Sequence, residues 1–235
     1  MPKPNLADLG AAALAFAIGS GVVAAPAKPP DTIAQRVTAC TGCHGAQGRA
    51  TAEGYFPRIA GKPAGYLYNQ LLNFREGRRQ QALMTYLVEH LSDDYLKEIA
   101  AHFASLDVPY PPPQPFGAAE GLLQRGEQLV RRGDAAQRIP ACGQCHGSAL
   151  TGVAPAIPGL LGLPRDYLAG QFGAWKTGRR RAASPDCMAQ VSAALTPDDV
   201  AAVTTWLASQ TVPPNAKAAA SLPGELPLPC GGVAP

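Results

Sequence analysis

The chain has 235 residues, 46% hydrophobic and 16% charged, with 25 glycines, 24 prolines and a formal net charge of +3 at pH 7. That length admits one large domain or two small ones, and the glycine and proline content predicts loop-rich domains with few long helices. The charge is too weak for nucleic-acid binding, no long basic run is present, and a bound cofactor would help such small domains build a core.

The first residues have the layout of a secretory signal. Lys3 supplies the positive end, Leu9 to Val23 is apolar, and Ala25-Pro26-Ala27 offers a small-x-small cleavage site. Residues 1–27 are therefore expected to be a signal peptide that leaves Lys28 as the mature N-terminus, although Asp8 departs from the usual layout. The apolar run is short for a membrane span.

Residues 28–107 are expected to form a first domain. A short helix over 34–43 leads into Cys40-Thr41-Gly42-Cys43-His44. A second helix over 63–76 would carry Tyr66, Leu67, Gln70, Leu71 and Phe74 along one face. Ser92-Asp93-Asp94 caps a third, with Leu96, Ile99, Ala100 and Phe103 at core spacing. Residues 108–116 are Pro-rich, cannot continue a helix, and read as an extended linker.

Residues 117–212 make a second domain, with Cys142-Gly143-Gln144-Cys145-His146 near its start. Its last helix opens at Thr196-Pro197-Asp198-Asp199, which combines a Thr cap, a first-turn proline and acids at the positive helix end. Residues 213–235 are a Pro-rich tail. No alternating strand pattern appears, so the fold class is all-α.

The two domains repeat one another. Pro57 matches Pro158, Tyr66-Leu67 matches Tyr167-Leu168, Gln70 matches Gln171, Phe74 matches Trp175, and Gly77-Arg78-Arg79 matches Gly178-Arg179-Arg180, all at an offset of 101. The cysteines are offset by 102, and Met84 and Met188 by 104. The chain is a tandem duplication.

Cys-x-x-Cys-His is the attachment signature of c-type haem. Residues three apart share a helix face, so both thiols reach one porphyrin edge while the following histidine points at the iron. A zinc half-site would need further Cys or His nearby, and a dithiol redox pair needs neither the histidine nor the duplication. The expected cofactors are two covalently bound haem c groups, on Cys40, Cys43 and His44 and on Cys142, Cys145 and His146. Methionine is the usual sixth ligand in electron-carrying cytochromes c. Besides Met1 the chain has only Met84 and Met188, 40 and 42 residues beyond those histidines, so the predicted iron ligands are His44 with Met84 and His146 with Met188.

Metal-bound histidines donate their second ring hydrogen to a fixed acceptor, and the carbonyls of Pro57 and Pro158 are the candidates. Tyr66, Tyr167, Phe74 and Trp175 read as haem-pocket walls or ordinary core. Gln70 and Gln171 read as propionate donors or surface residues. Arg78, Arg79 and Arg179 to Arg181 would pair propionates or a partner, or lie in a solvated loop. His90 and His102 occur in one half only and are not proposed as ligands. Cys187 and Cys230 are left over, which in an exported protein favours a disulfide that ties the tail over the second haem. The rival is Cys187 as a thiolate ligand displacing Met188.

The paired halves, Phe56-Pro57-Arg58-Ile59-Ala60-Gly61, Tyr66-Leu67-Tyr68-Asn69-Gln70-Leu71, Gly77-Arg78-Arg79 and Met84 followed by Leu91-Ser92-Asp93-Asp94 resemble the dihaem cytochrome c4 family. The resemblance extends to about Gln210 and departs at Cys187 and the Cys230 tail. It implies two class I cytochrome c domains around a pseudo-twofold axis, His/Met ligation of both irons, and periplasmic electron delivery, often to terminal oxidases.

The function expected on these grounds is electron transfer, not catalysis, in the periplasm. The donor would be a dehydrogenase or cytochrome bc1-type complex and the acceptor an oxidase; any membrane-surface association runs through such partners. The alternative is an electron-transfer subunit of an exported dehydrogenase. A dihaem enzyme, such as a thiosulfate dehydrogenase or peroxidase, would need a labile iron ligand, and Cys187 alone keeps that reading open.

Overall fold

The computed structural model describes residues 30–51, 54–113 and 117–233. The expected signal peptide lies outside them. Two sets of helices follow one another along the chain, and the clearest reasons for their boundaries are capping side chains.

In the first half, α1 (Ile33–Arg36) and α2 (Thr38–His44) replace the single helix expected there. The break falls at Val37, whose side chain is 2% exposed and anchors the turn in the core. α3 (Ala64–Arg75) follows, then α4 (Ala82–Val88) and α5 (Asp93–Ser105). Ser92 Oγ accepts the Tyr95 amide at 3.3 Å, and Asp93 and Asp94 face the positive helix end. Leu67 on α3 packs with Ile99, Ala100 and Phe103 on α5.

The second half has α6 (Glu120–Arg131), α7 (Cys142–His146), α8 (Arg165–Lys176), α9 (Cys187–Ala194) and α10 (Pro197–Ser209). Thr196 and Asp199 cap α10 reciprocally: Thr196 Oγ1 accepts the Asp199 amide, and Asp199 Oδ2 accepts the Thr196 amide, both at 3.1 Å. Arg125 on α6 donates to Asp199 at 2.8 Å and to Asp134 at 2.9 Å, tying three segments together. α6 crosses α10 at Gly126, where an added Cβ would run into the Ala202 carbonyl and the Trp206 side chain. Only a glycine admits so close a crossing.

Among the described residues the fold is all-α but for one hairpin of two-residue strands, β1 (Gly152–Val153) against β2 (Ile157–Pro158), which periodicity did not predict. Such short strands carry too few residues to show an alternating pattern. No helix among the described residues is long and apolar enough to cross a membrane.

The halves meet through backbone as well as side chains. Arg79 and Arg180 form an antiparallel bridge, with the Gln80 amide on the Arg179 carbonyl and the Arg181 amide on the Arg78 carbonyl, both at 2.8 Å. Equivalent residues exchange bonds, as a pseudo-twofold relation requires. The linker is pinned rather than free at its start, because the buried Arg58 guanidinium donates to the carbonyls of Val108 and Pro109. The tail also returns to the body of the protein: Ala219 exchanges backbone bonds with Gly152 and Ala154, and Asn69 on α3 donates to the Gly232 carbonyl at 2.8 Å.

Candidate functional site

α7 places Cys142 and Cys145 one turn apart and ends on His146; α2 does the same with Cys40, Cys43 and His44. The next residues, Gly45 and Gly147, have φ of +75° and +82°. This left-handed backbone suits glycine and turns the chain away at once, leaving each histidine 8% exposed.

Nδ1 of His44 lies 2.8 Å from the Pro57 carbonyl oxygen, and Nδ1 of His146 lies 2.7 Å from that of Pro158. A carbonyl only accepts, so Nδ1 carries the hydrogen and Nε2 keeps its lone pair for a metal. Burial lowers the pKa of both imidazoles, partly offset by these carbonyl bonds. The neutral, ligating form is therefore favoured.

Burial also pushes the Cys142 thiol up to about 12 and raises Cys40 and Cys145. A dithiol redox pair needs the opposite, a depressed thiol. Among the described residues no group of three His, Cys, Asp or Glu side chains is placed to hold a metal ion, so the donors of a zinc site are not assembled.

Cys142, Cys145, His146 and Met188 line one cavity, walled by Leu129, Leu163, Leu168, Phe172, Val203 and Leu207. Tyr167 and Trp175 line it too, as do Lys62, Tyr66 and Gln70 from the first half. Met84 packs with Phe74, Val88 and Leu96, while Cys40 and Tyr66 pack against the Leu67–Phe103 cluster. The methionines sit on short helices rather than loops. Gln81 Oε1 accepts the Met84 amide at 2.7 Å, and Asp186 Oδ1 accepts the Ala189 amide at 3.0 Å, which starts each helix just before its methionine.

Between the halves, Arg79 donates to Gln70 and Gln171, both at 2.9 Å, and Arg180 donates to the same two amide oxygens at 3.2 and 2.7 Å. Arg79 stacks over Phe74 and Arg180 over Trp175. The solvated-loop reading thus fails for these two arginines, whereas Arg179 and Arg181 are exposed. The glutamines likewise hold arginines instead of lying free at the surface.

Lys62 is buried beside them with its ammonium 3.4 Å from the Gly159 carbonyl. None of the ion pairs among the described residues includes Lys62, Arg79 or Arg180. Burial lowers the pKa of Lys62 and Arg180. Burial alone would raise the Tyr66 phenol, but Arg180, Arg79 and Lys62 together bring it below its usual value. Buried cations without a carboxylate are costly, and the Trp175 indole N–H is also buried without a partner. An apolar group carrying acidic substituents would satisfy all of them.

No family model matches the chain. Cytochrome c4 of Pseudomonas aeruginosa is 34% identical over 86% of this chain and 94% of its own length. The chain belongs to the cytochrome c4 family. The solved structure of reduced cytochrome c4 from Pseudomonas stutzeri superposes with a TM-score of 0.65 at 30% identity, over 75% of this chain and 96% of that one. A protein of Thiomonas intermedia described as a thiosulfate dehydrogenase electron acceptor is 36% identical over 86% of this chain and 92% of its own. A thiosulfate dehydrogenase from Marichromatium purpuratum matches at a TM-score of 0.65 and 31% identity, and this chain spans 36% of that protein.

As a cytochrome c4, the protein is a dihaem electron carrier built from two class I cytochrome c domains, with haem c attached covalently. The buried cations and the orphaned indole suit the haem carboxylates, and the apolar walls suit the macrocycle. The bound haem supplies a one-electron couple; the chain supplies attachment, burial and charge.

Cys187 and Cys230 form a disulfide with Cα atoms 5.0 Å apart. This removes the thiolate needed for the rival reading of Cys187 as an iron ligand. Leu226, Leu228, Cys230 and Gly231 to Val233 line the same cavity as Met188, so the tail closes that side. His90 is exposed next to Glu89, and His102 lies on α5 against Phe103.

Lys62 and Arg58 were the residues that sequence reasoning overlooked. A signal was available: at the repeat offset of 101 Lys62 aligns with Leu163, a buried core residue. A cation in a core position calls for an anionic partner.

Arg180→Gln is expected to lower the potential of one haem, since a nearby positive charge favours the ferrous state. A unit charge roughly 10 Å away at an effective dielectric near 20 is worth about 1.7 kcal/mol, or roughly 70 mV for one electron. Spectroelectrochemical titration reads the shift, and unchanged potentials would remove Arg180 from the haem environment.

Proposed function

We propose that the protein is a periplasmic carrier with both irons closed by histidine and methionine, His44 with Met84 and His146 with Met188. The observation that carries this reading is that His146 and Met188 line one apolar cavity together with Cys142 and Cys145. The internal repeat extends the same arrangement to the first half. An iron held from both sides offers a substrate no open position, so neither haem is catalytic. In this reading residues 28–107 and 117–212 are the two haem domains, and the exported chain begins at Lys28.

The donor in this reading is a thiosulfate dehydrogenase, and the acceptor is a terminal oxidase. The donor assignment is favoured by the 36% identity to the Thiomonas intermedia electron acceptor along nearly its full length. The test mixes the oxidised protein anaerobically with a purified thiosulfate dehydrogenase and thiosulfate, following the reduced haem band. Both haems should be reduced only when enzyme and thiosulfate are present together. Reduction by a quinol-oxidising bc1-type complex, with none by the dehydrogenase, would reassign the donor.

A further inference from the structure

The two methionine helices are equivalent in sequence position and opposite in surface. α4 reads Ala-Leu-Met-Thr-Tyr-Leu-Val and carries no charge. Its inner side is Met84 and Val88, packed with Phe74 and Leu96, and Thr85, whose hydroxyl donates to the Phe74 carbonyl at 3.2 Å. Leu83, Tyr86 and Leu87, spaced i, i+3 and i+4, form the outer side. They are 46%, 71% and 40% exposed, and they make up three of the four large exposed hydrophobic side chains among the described residues.

In the second half the offset of 104 puts Cys187, Gln190 and Val191 at these places. Cys187 is bonded to the tail, Gln190 is polar, and Val191 packs into the core cluster. The tail lies against this helix, with the Gly231 amide on the Pro185 carbonyl at 2.9 Å. The chain thus ties its own tail to the start of one methionine helix, where Gln190 stays exposed but polar, and among the described residues nothing covers the apolar outer side of the other.

The size of the bare face decides what covers it. Three partly exposed side chains offer on the order of 300 Å², well short of the roughly 800 Å² per partner of a stable complex. Brief electron-transfer encounters belong to the small end of that range. With no charge on α4, a matching partner brings an apolar, uncharged contact face.

We propose that Leu83, Tyr86 and Leu87 are the docking face for a one-electron redox protein with an apolar, uncharged contact surface. Electrons then cross the protein surface at the first half, while the tethered tail withholds the equivalent route at the second. This rests on the carrier reading above. One electron leaves the partner's reduced centre, the first haem iron goes from ferric to ferrous, and no proton or group moves.

The test uses the full dihaem chain and the double variant Leu83→Ser with Tyr86→Ser. Two bimolecular rates are measured: reduction by thiosulfate dehydrogenase with thiosulfate, and electron self-exchange between oxidised and reduced copies, read from NMR broadening of the haem-bound methionine methyls. A second copy is a suitable probe because its own α4 face has the required chemistry. Both rates should fall about tenfold and vary little with ionic strength, while reduction by ascorbate stays unchanged. Exchange should broaden the first-half methyl more than the second, and removing the tail tether by Cys187→Ser with Cys230→Ser should raise exchange at the second. Variant rates equal to wild type would overturn the proposal. Failure of the dehydrogenase to reduce even the wild type would overturn the donor assignment instead, and self-exchange would then decide the docking face alone.

Discussion

Met188→Ala will remove about half of the near-infrared charge-transfer band of the oxidised protein, because that band reports methionine sulfur on ferric haem and the proposed ligation gives each haem one methionine. The other half should vanish in Met84→Ala. The potential of the altered haem should fall on the order of 0.1 V, a modest part of the ~0.8 V range that axial ligands span, because the thioether stabilises the ferrous state. The residues around each methionine support independent effects. Met188 lies on the second cavity, closed by the disulfide, whereas Met84 packs among Phe74, Val88 and Leu96. Near-infrared absorption of the two single variants is the measurement. A band that survives either substitution at full strength, or disappears completely in one of them, would show that the ligands are not shared out in this way.

The double variant Cys187→Ser with Cys230→Ser should cost about 3–4 kcal/mol of unfolding free energy in the second half. The bridge has a sequence separation of 43 residues, so cutting it returns considerable chain entropy to the unfolded state. Leu226 and Leu228 would also lose their fixed place over the cavity. Substituting both cysteines avoids leaving a free thiol next to Met188. Chemical denaturation followed separately at the two haems reads the effect, with the first half expected to change little. A loss below about 0.5 kcal/mol would mean that the tail is held by its backbone bonds near Gly152 and Ala154 and that the disulfide adds nothing.

Much of the site was legible because covalent haem attachment is a local demand. Two thiols must meet one porphyrin edge while the next imidazole faces the iron, and a single helical turn meets that requirement, so Cys40 to His44 and Cys142 to His146 announce themselves. The proposed sixth ligands stand out for another reason: in a chain with three methionines, two fall at matching repeat positions. Helix caps such as Ser92 and Thr196 are equally local, and the helices they start lie where the sequence suggested.

What could not be read were relations between residues far apart in the chain. Gln70 and Gln171 looked like surface residues or haem donors, yet they hold Arg79 and Arg180 across the contact between halves, 92 and 110 residues away in the cross pairs. Nothing local distinguishes the buried Arg180 from its exposed neighbours Arg179 and Arg181. Only packing against Trp175 and the other half selects it. The outer face of α4 was likewise invisible, since its alternation of inner and outer residues matters only once Phe74 and Leu96 fix which side is in. Spacing along the chain was sufficient for the cofactor and the duplication, because those depend on groups a few residues apart or on a counted repeat. Burial of charge, the clamp between the halves and the choice of which methionine helix stays open arose only in three dimensions, because each depends on desolvation by distant segments.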